Sequence, residues 1–333
     1  MHIFVTGIAG FLGSNLADYY INKNYKVSGC DNLVGGDRDF VNPKAIFYQG
    51  DCEDLDFMTR ATKDVDVICH AAAYAHEGLS SISPTLICNN NVTGSVSVFT
   101  SGIRNKVKRI VYCSSMARYG NIKIPFKEDD HLKPVDPYGV SKVAAENILK
   151  ILCNTHGVEY NIAVPHNIIG PKQKYDDPYR NVVSIMSNLM LQNRQPIIYG
   201  DGEQKRCFSY IDDCLDCLIP MLDQKNLNKQ IINIGPDEEF VTINKVAEIC
   251  TNLTGVNLKP IYKKDRPREV RHALCSSDKA RKFLNYKTKT SLDEGINKTF
   301  EYIKKRGVRP FNYNIELEIN NDLTPTTWKN KEI

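Results

Sequence analysis

Tyr138 and Lys142 stand four residues apart in the run Asp136-Pro137-Tyr138-Gly139-Val140-Ser141-Lys142. Asp136 is a good helix N-cap and Pro137 suits the first helical position, so this spacing puts phenol and ammonium on one helical face. A phenol with its ordinary pKa of about 10 is a poor base at neutral pH. A lysine ammonium beside it favours the phenolate and so makes it a proton acceptor. Ser114 and Ser115 end an apolar run at residues 109–113 and can donate hydrogen bonds to the oxygen that such a phenolate would deprotonate. The Tyr-xxx-Lys spacing also arises by chance. What distinguishes this instance is its position one helix after the Ser-Ser strand end.

Groups so placed need strands that end at a common edge. Short apolar runs alternate with helical patterns from residue 2 to about residue 165. The candidate strands are residues 3–5, 25–31, 45–48, 65–70, 109–113 and 160–165, with helices such as 12–23 and 95–105 between them. Strands apolar on both faces and separated by helices predict a parallel sheet covered on both sides. That is α/β, a Rossmann-type doubly wound sheet. After Pro165 the rhythm breaks. Residues 166–205 are rich in Pro, Asn, Gln and Tyr with one helix predicted at 182–193, a strand near 230–234 follows, and a helix begins around Val241. From Gly307 the chain is polar and irregular and holds its only tryptophan, Trp328. The expected division is a cofactor domain at 1–165, with 207–235 returning to it, and a smaller mixed α/β lobe at 166–206 and 236–333. No low-complexity linker separates the two, so they are expected to pack closely.

The first strand runs into Thr6-Gly7-Ile8-Ala9-Gly10-Phe11-Leu12-Gly13. Glycines there permit a tight turn and let the backbone approach a pyrophosphate, while the following helix offers amide donors and the positive end of its dipole. The spacing is GxxGxxG rather than GxGxxG, and a glycine turn can be purely structural. The second strand supplies the context, because it ends at Asp31, 18 residues beyond Gly13. A carboxylate there accepts hydrogen bonds from the adenosine ribose hydroxyls and repels a 2′-phosphate, which favours NAD over NADP. Gly50-Asp51 closes the third strand as a candidate partner for adenine. An oxidised nicotinamide ring would favour the Tyr138 phenolate in the same way as Lys142.

Bulk properties exclude several classes. The chain has 333 residues, 42% hydrophobic and 25% charged, with a formal charge of +4 and a mean hydropathy of −0.36. Its basic residues are scattered, and the longest cluster, Lys263-Lys264-Asp265-Arg266-Pro267-Arg268, is broken by an acid and a proline, so no nucleic-acid partner is expected. No signal peptide and no membrane-spanning run is predicted, which makes the cytoplasm the default address. Eleven cysteines are dispersed singly, apart from the CxxC of Cys214 and Cys217. With no second pair and no nearby ligand histidine, no metal is expected and the cysteines read as structural.

Together these features resemble the extended short-chain dehydrogenase/reductase family, in its nucleotide-sugar epimerase and dehydratase branch. The resemblance covers nearly the whole chain. It runs through Thr6-Gly7-xx-Gly10-xx-Gly13, Asp31-Asn32-Leu33, Gly50-Asp51, His70-Ala71-Ala72, Asn90-Asn91-Val92-xx-Gly94, Ser114-Ser115-xxx-Tyr119-Gly120 and Tyr138-xxx-Lys142. It continues in His166-Asn167-xx-Gly170-Pro171, Gly200-Asp201-Gly202-xxx-Arg206 and Arg266-Pro267-xx-Val270, the group specific to sugar-nucleotide enzymes.

The resemblance implies a catalytic set of Ser115, Tyr138 and Lys142, with Tyr138 exchanging the sugar hydroxyl proton and Lys142 also holding the nicotinamide ribose. It implies an NAD site of Gly7, Gly10, Phe11, Leu12, Asp31, Asn32, Asp51, Cys52, Ala71, Ala72, Ala73, Asn91, Ser114, Tyr138, Lys142 and His166. For a nucleoside-diphosphate sugar it implies His76, Glu77, Ser115, Met116, Asn167, Arg206, Arg266 and Glu269. Of these, Asn167 and the two arginines would face the diphosphate or nucleoside, and Glu269 the nucleoside ribose. Two arginines from separate segments can clamp a dianionic diphosphate with directed donors, although either can equally form a surface ion pair. Arg118 and the loop 74–78 either contact the sugar or are solvated. Family members commonly dimerise through two helices per subunit, so a homodimer or higher homo-oligomer is implied. Val143, Ile148 and Ile151 suit such an interface or the core.

Dehydratases and decarboxylases of this branch carry an acid beside the catalytic serine for chemistry at the sugar C5, whereas here Met116-Ala117-Arg118 follows Ser115. The 3,5-epimerases and the epimerase-reductases place a cysteine where this chain has Ala117. Removal of hydride at C4 is therefore the parsimonious chemistry, and a 4-epimerase acting through a transient 4-keto sugar is the expectation. The alternative is a 4-dehydrogenase that releases the keto sugar. A non-catalytic NAD-sensing module on the same fold is remoter, since Tyr138 and Lys142 are both kept.

Overall fold

The five residues of β1 (His2–Thr6) are all buried, because the strand lies inside a sheet with a neighbour on each side. In the computed structural model, which describes residues 1–333, the chain continues through α1 (Phe11–Asn22), β2 (Lys26–Asp31), β3 (Ile46–Gln49), α2 (Leu55–Ala61) and β4 (Val67–His70). Next come α3 (Glu77–Ser80), α4 (Pro84–Cys88), α5 (Ser95–Arg104), β5 (Arg109–Cys113), α6 (Pro137–His156) and β6 (Glu159–Pro165). The remainder comprises β7 (Ile168–Ile169), α7 (Val182–Leu191), β8 (Ile197–Tyr199), β9 (Lys205–Arg206), β10 (Ser209–Tyr210), α8 (Ile211–Asp223) and β11 (Gln230–Ile234). It closes with β12 (Val241–Thr242), α9 (Ile243–Thr254), β13 (Ile261–Lys263), β14 (His272–Ala273), α10 (Asp278–Leu284), α11 (Leu292–Arg306) and α12 (Thr326–Lys329).

Seven parallel strands form the main sheet in the order β11-β6-β5-β4-β1-β2-β3. Two apolar layers cover its faces. One is built around Leu16, Tyr20, Leu215 and Leu218, and the other around Val98, Phe99, Ala145 and Leu149. The doubly wound expectation therefore holds. Strand order reverses between β1 and β4, and at such a switch point the loops part to leave a crevice beyond the carboxyl ends of the strands. A separate cluster with Val183, Met186, Val246 and Ile296 joins α7, α9 and α11 beside the short pairings of β8 with β13 and of β9 with β12 and β14. No helix is long and apolar enough to cross a membrane.

Three features depart from the sequence expectation. β3 is an edge strand, and Ile46 and Tyr48 are exposed at 42% and 37% rather than buried on both faces. The helical path to α5 starts early, at Pro84, and passes through a π-helical turn at Asn89–Gly94. The extra residue in such a turn rotates the side chains that follow, and π-turns recur at functional sites. Finally, the polar tail beyond Gly307 folds back onto the protein. Trp328 is 2% exposed and packs edge-on against Tyr179 at 5.3 Å, in a cluster with Leu79, Ile82 and Ile315. All eleven cysteines are free thiols, and all but Cys88 are buried.

Deleting a buried indole leaves a cavity that neighbours fill only in part. Trp328→Ala is expected to cost about 3–5 kcal/mol of stability. Urea denaturation followed by circular dichroism measures it, since the substitution removes the only tryptophan fluorophore.

Candidate active site

One elongated cavity runs through the switch-point crevice. Gly7, Gly10, Phe11, Leu12, Asp31, Asn32 and Cys52 line one end, and Ala71, Ala72, Ala73, Ser114, Ser115, Met116, Tyr138 and Lys142 line its middle. Gly7 has φ +71°, and a Cβ on it would lie 3.0 Å from the Ala72 amide nitrogen. A Cβ on Gly13 would lie 2.2 Å from the Gly7 carbonyl oxygen, so the cradle admits only glycine. α1 starts with no side-chain cap and no acidic residue in its first turn, which leaves its amide donors and dipole for an anion. Asp31 accepts hydrogen bonds from the Leu33 amide at 2.8 Å and the Ala9 amide at 3.1 Å. Burial raises its pKa while these two bonds oppose the rise. A carboxylate has about four lone-pair sites, so acceptors remain for ribose hydroxyls. Bare glycine cradle, uncapped helix start and anchored carboxylate fit a dinucleotide.

Asp136 caps α6 by accepting from the Gly139 amide at 2.8 Å, and so sets the helix that carries Tyr138 and Lys142. Burial pushes the Tyr138 phenol above its ordinary value, and the hydrogen bond from Ser115 pulls it back. Lys142 Nζ donates to the Cys113 carbonyl at 2.9 Å and lies 5.7 Å from the centroid of the Tyr138 ring. Burial lowers its pKa to about 8, against the pull of Cys113 and Glu146. The expected ammonium–phenol pairing is therefore replaced by an ammonium anchored on the β5 backbone.

The loop at residues 74–78 is held by hydrogen bonds at Tyr74 and His76. The Tyr74 amide donates to Asn91 Oδ1 at 3.0 Å, and His76 Nε2 pairs with Asp177 Oδ2 at 2.9 Å. His76 and Glu77 both face the cavity, as do Asn167, Arg206, Arg266 and Glu269 at its far end. Arg266 makes two 3.0 Å hydrogen bonds to Glu269 and stacks over Tyr199, its guanidinium carbon 5.0 Å from the ring centroid. Arg206 lies 3.7 Å from the same carboxylate and donates to the Val270 carbonyl at 2.6 Å. Asn167, with φ +41°, donates to the Cys207 carbonyl at 2.9 Å.

Other expected residues stand back from the cavity. Asp51 accepts from Asn32 at 2.9 Å outside the lining, where its neighbours Gly50 and Cys52 take its place. Asn91 braces the Tyr74 loop from behind, and Asn90 forms the wall. His166 points into the protein, with Nε2 3.0 Å from the Pro236 carbonyl, and the lining falls to Pro165 and Asn167. Ser114 reaches the wall, but its hydroxyl donates to the Glu146 carboxylate, which leaves Ser115 as the free donor. Arg118 is no sugar ligand: the 3₁₀ turn Met116–Arg118 rotates it inward onto Glu146 at 3.0 Å. Sequence reasoning missed Tyr199, Gln204, Arg180 and Ile333 on the wall. Tyr199 directly precedes Gly200-Asp201-Gly202 and was findable from that motif, whereas no local signal marks Ile333.

Four similarities bear on this geometry. The family described as NAD dependent epimerase/dehydratase matches residues 3–235. A protein of Methanocaldococcus jannaschii named a putative UDP-glucose 4-epimerase is 35% identical over 307 residues, covering 91% of this chain and 98% of its own. The crystal structure of the Thermotoga maritima UDP-glucose 4-epimerase with UDP-glucose superposes with a TM-score of 0.87 at 32% identity, covering 92% and 99% of the two chains. The Bacillus cereus UDP-glucuronic acid 4-epimerase, crystallised with UDP-glucuronic acid and NAD, gives 0.85 at 26% identity over 92% and 100%.

Proposed function

This chain belongs to the NAD dependent epimerase/dehydratase family, and from that membership we propose that it is a 4-epimerase of a UDP-linked hexose working through a transient 4-keto sugar. The observation that carries this proposal is one cavity holding Ser115, Tyr138 and Lys142 and continuing to Arg206 and Arg266. Its support from kin is 35% identity to a protein named a putative UDP-glucose 4-epimerase and 32% to a solved UDP-glucose 4-epimerase, each over nine-tenths of the chain.

Bound NAD supplies the two-electron redox chemistry at C4. Gly7, Gly10, Phe11, Leu12 and Asp31 would hold its adenosine and pyrophosphate. Around the sugar, Ser115 donates a hydrogen bond to the C4 oxygen and Tyr138 takes the proton of the C4 hydroxyl, then gives it back. Lys142, fixed on the Cys113 carbonyl, keeps its ammonium 5.7 Å from the centre of the Tyr138 ring. Arg206 and Arg266 hold the diphosphate while the keto sugar turns over between Met116, Asn167 and the 74–78 loop. We assign residues 1–165 with 207–235 to the cofactor and 166–206 with 236–333 to the nucleotide sugar.

The test is to incubate the purified protein with UDP-glucose, UDP-galactose, their N-acetyl forms and GDP-mannose, following NADH absorbance and product NMR. The expected result is an isomerised UDP-hexose without net NADH. Stoichiometric NADH with a released keto sugar overturns the epimerase assignment.

A further inference from the structure

Glu77 is a cavity-facing carboxylate without a protein partner. Its backbone is firmly fixed: Ser80 Oγ donates to the Glu77 carbonyl at 2.7 Å, His76 beside it is tied to Asp177, and Trp328 of the tail covers Gly78. Its side chain lines the same cavity as Tyr138, Arg206 and Arg266. It lies within Coulombic reach of Tyr138 and of both arginines. The groups able to neutralise it are engaged elsewhere. Arg266 and Arg206 hold Glu269, and Arg180 leans 3.6 Å from Asp177 towards the Gly35 turn. Asp136, an acidic neighbour, caps α6 by accepting from the Gly139 amide.

A half-buried carboxylate that only accepts hydrogen bonds is better satisfied once a ligand in the cavity supplies donors. If the 4-epimerase assignment holds, a hexose spanning from the arginines to Tyr138 passes Glu77 and presents hydroxyls, which are donors. A hexuronic acid presents a second carboxylate there. We propose that Glu77 reads the sugar, binding neutral hexoses through their hydroxyls and excluding hexuronates by like charge.

The charge on Glu77 is adjustable. Burial, with Asp136 and Glu269, raises its pKa to about 7 against the pull of Arg206 and Arg266. Since the raised value marks the point where the proton leaves, the carboxylate repels above about pH 7 and is largely neutral below it. Discrimination against hexuronates therefore weakens on acidification. The other titratable groups around the site are Tyr138, held neutral by burial, and the His76–Asp177 pair with Arg180.

The measurement is kcat/KM for UDP-glucose and UDP-glucuronate, with wild type and Glu77→Gln, at about pH 8 and about pH 6. Wild type at the higher pH should favour the neutral sugar by on the order of 100-fold. Glu77→Gln should lower hexose turnover about 10-fold and shrink the preference by at least about 10-fold, while Glu77→Asp retains it. Unmodified enzyme should lose most of the preference at the lower pH, a readout that survives if the variant folds poorly. Equal use of both sugars by wild type at the higher pH, or a preference indifferent to both substitution and pH, overturns the role of Glu77. Absence of any C4-isomerised product from wild type overturns it together with the epimerase assignment, and product NMR tells these failures apart.

Discussion

Tyr138→Phe should lower kcat about 1,000- to 10,000-fold and leave KM nearly unchanged. The ring is buried against Ile87 and Ala117, and phenylalanine keeps that packing. What is lost is one oxygen, hydrogen-bonded by Ser115 on the same wall as a lysine anchored on β5. Two of its titratable neighbours are committed to other partners. His76 is paired with Asp177, and Asp136 caps α6. Steady-state kinetics on the UDP-hexose, with circular dichroism to verify the fold, makes the measurement. Undiminished turnover by the variant would show that Tyr138 is not the acid/base.

Arg118→Leu should destabilise the protein by about 3–5 kcal/mol. The Arg118 and Glu146 side chains are 2% and 0% exposed and 3.0 Å apart, so removing the cation strands an anion in the interior. Lys150 lies 3.9 Å from that anion, partly exposed, and compensates poorly. Adding Glu146→Leu to the first substitution should recover part of the loss, because the cost lies in the uncompensated charge more than in the missing pair. Urea denaturation of wild type, both single variants and the double variant closes the cycle. A single Arg118→Leu variant as stable as wild type would mean that Glu146 is neutral or hydrated.

Much of the frame was legible in the sequence because its signals are local. Residues 109–113 and 230–234 are strands at those same bounds, since short runs rich in Ile and Val between helical stretches suit a sheet. The glycine turn and the Tyr138–Lys142 spacing were legible for a similar reason: each is a short-range demand of backbone or helix geometry. Side-chain direction was not. Asn90 and Asn91 look interchangeable in sequence, and the π-turn decides which one reaches the cavity. His166 and Asn167 are adjacent, and the positive φ of Asn167 sends one inward and the other to the wall. Arg118 reads as a surface residue until Glu146, 28 positions later, is brought against it. The unpartnered state of Glu77 and the burial of Trp328 depend on segments far apart in the chain, which no window of sequence contains.

The buried thiols make the chain its own reporter of opening. Burial pushes Cys250 and Cys217 up to about 12, so the reactive thiolate is scarce while the fold is closed. A small alkylating reagent meets only Cys88 directly, and the rest answer as their cover lifts. Cys69 and Cys113 time the central sheet, Cys214 and Cys217 the helix laid across it, and Cys250 the lobe at the far end of the cavity. The order in which these sites become labelled is a map of local stability.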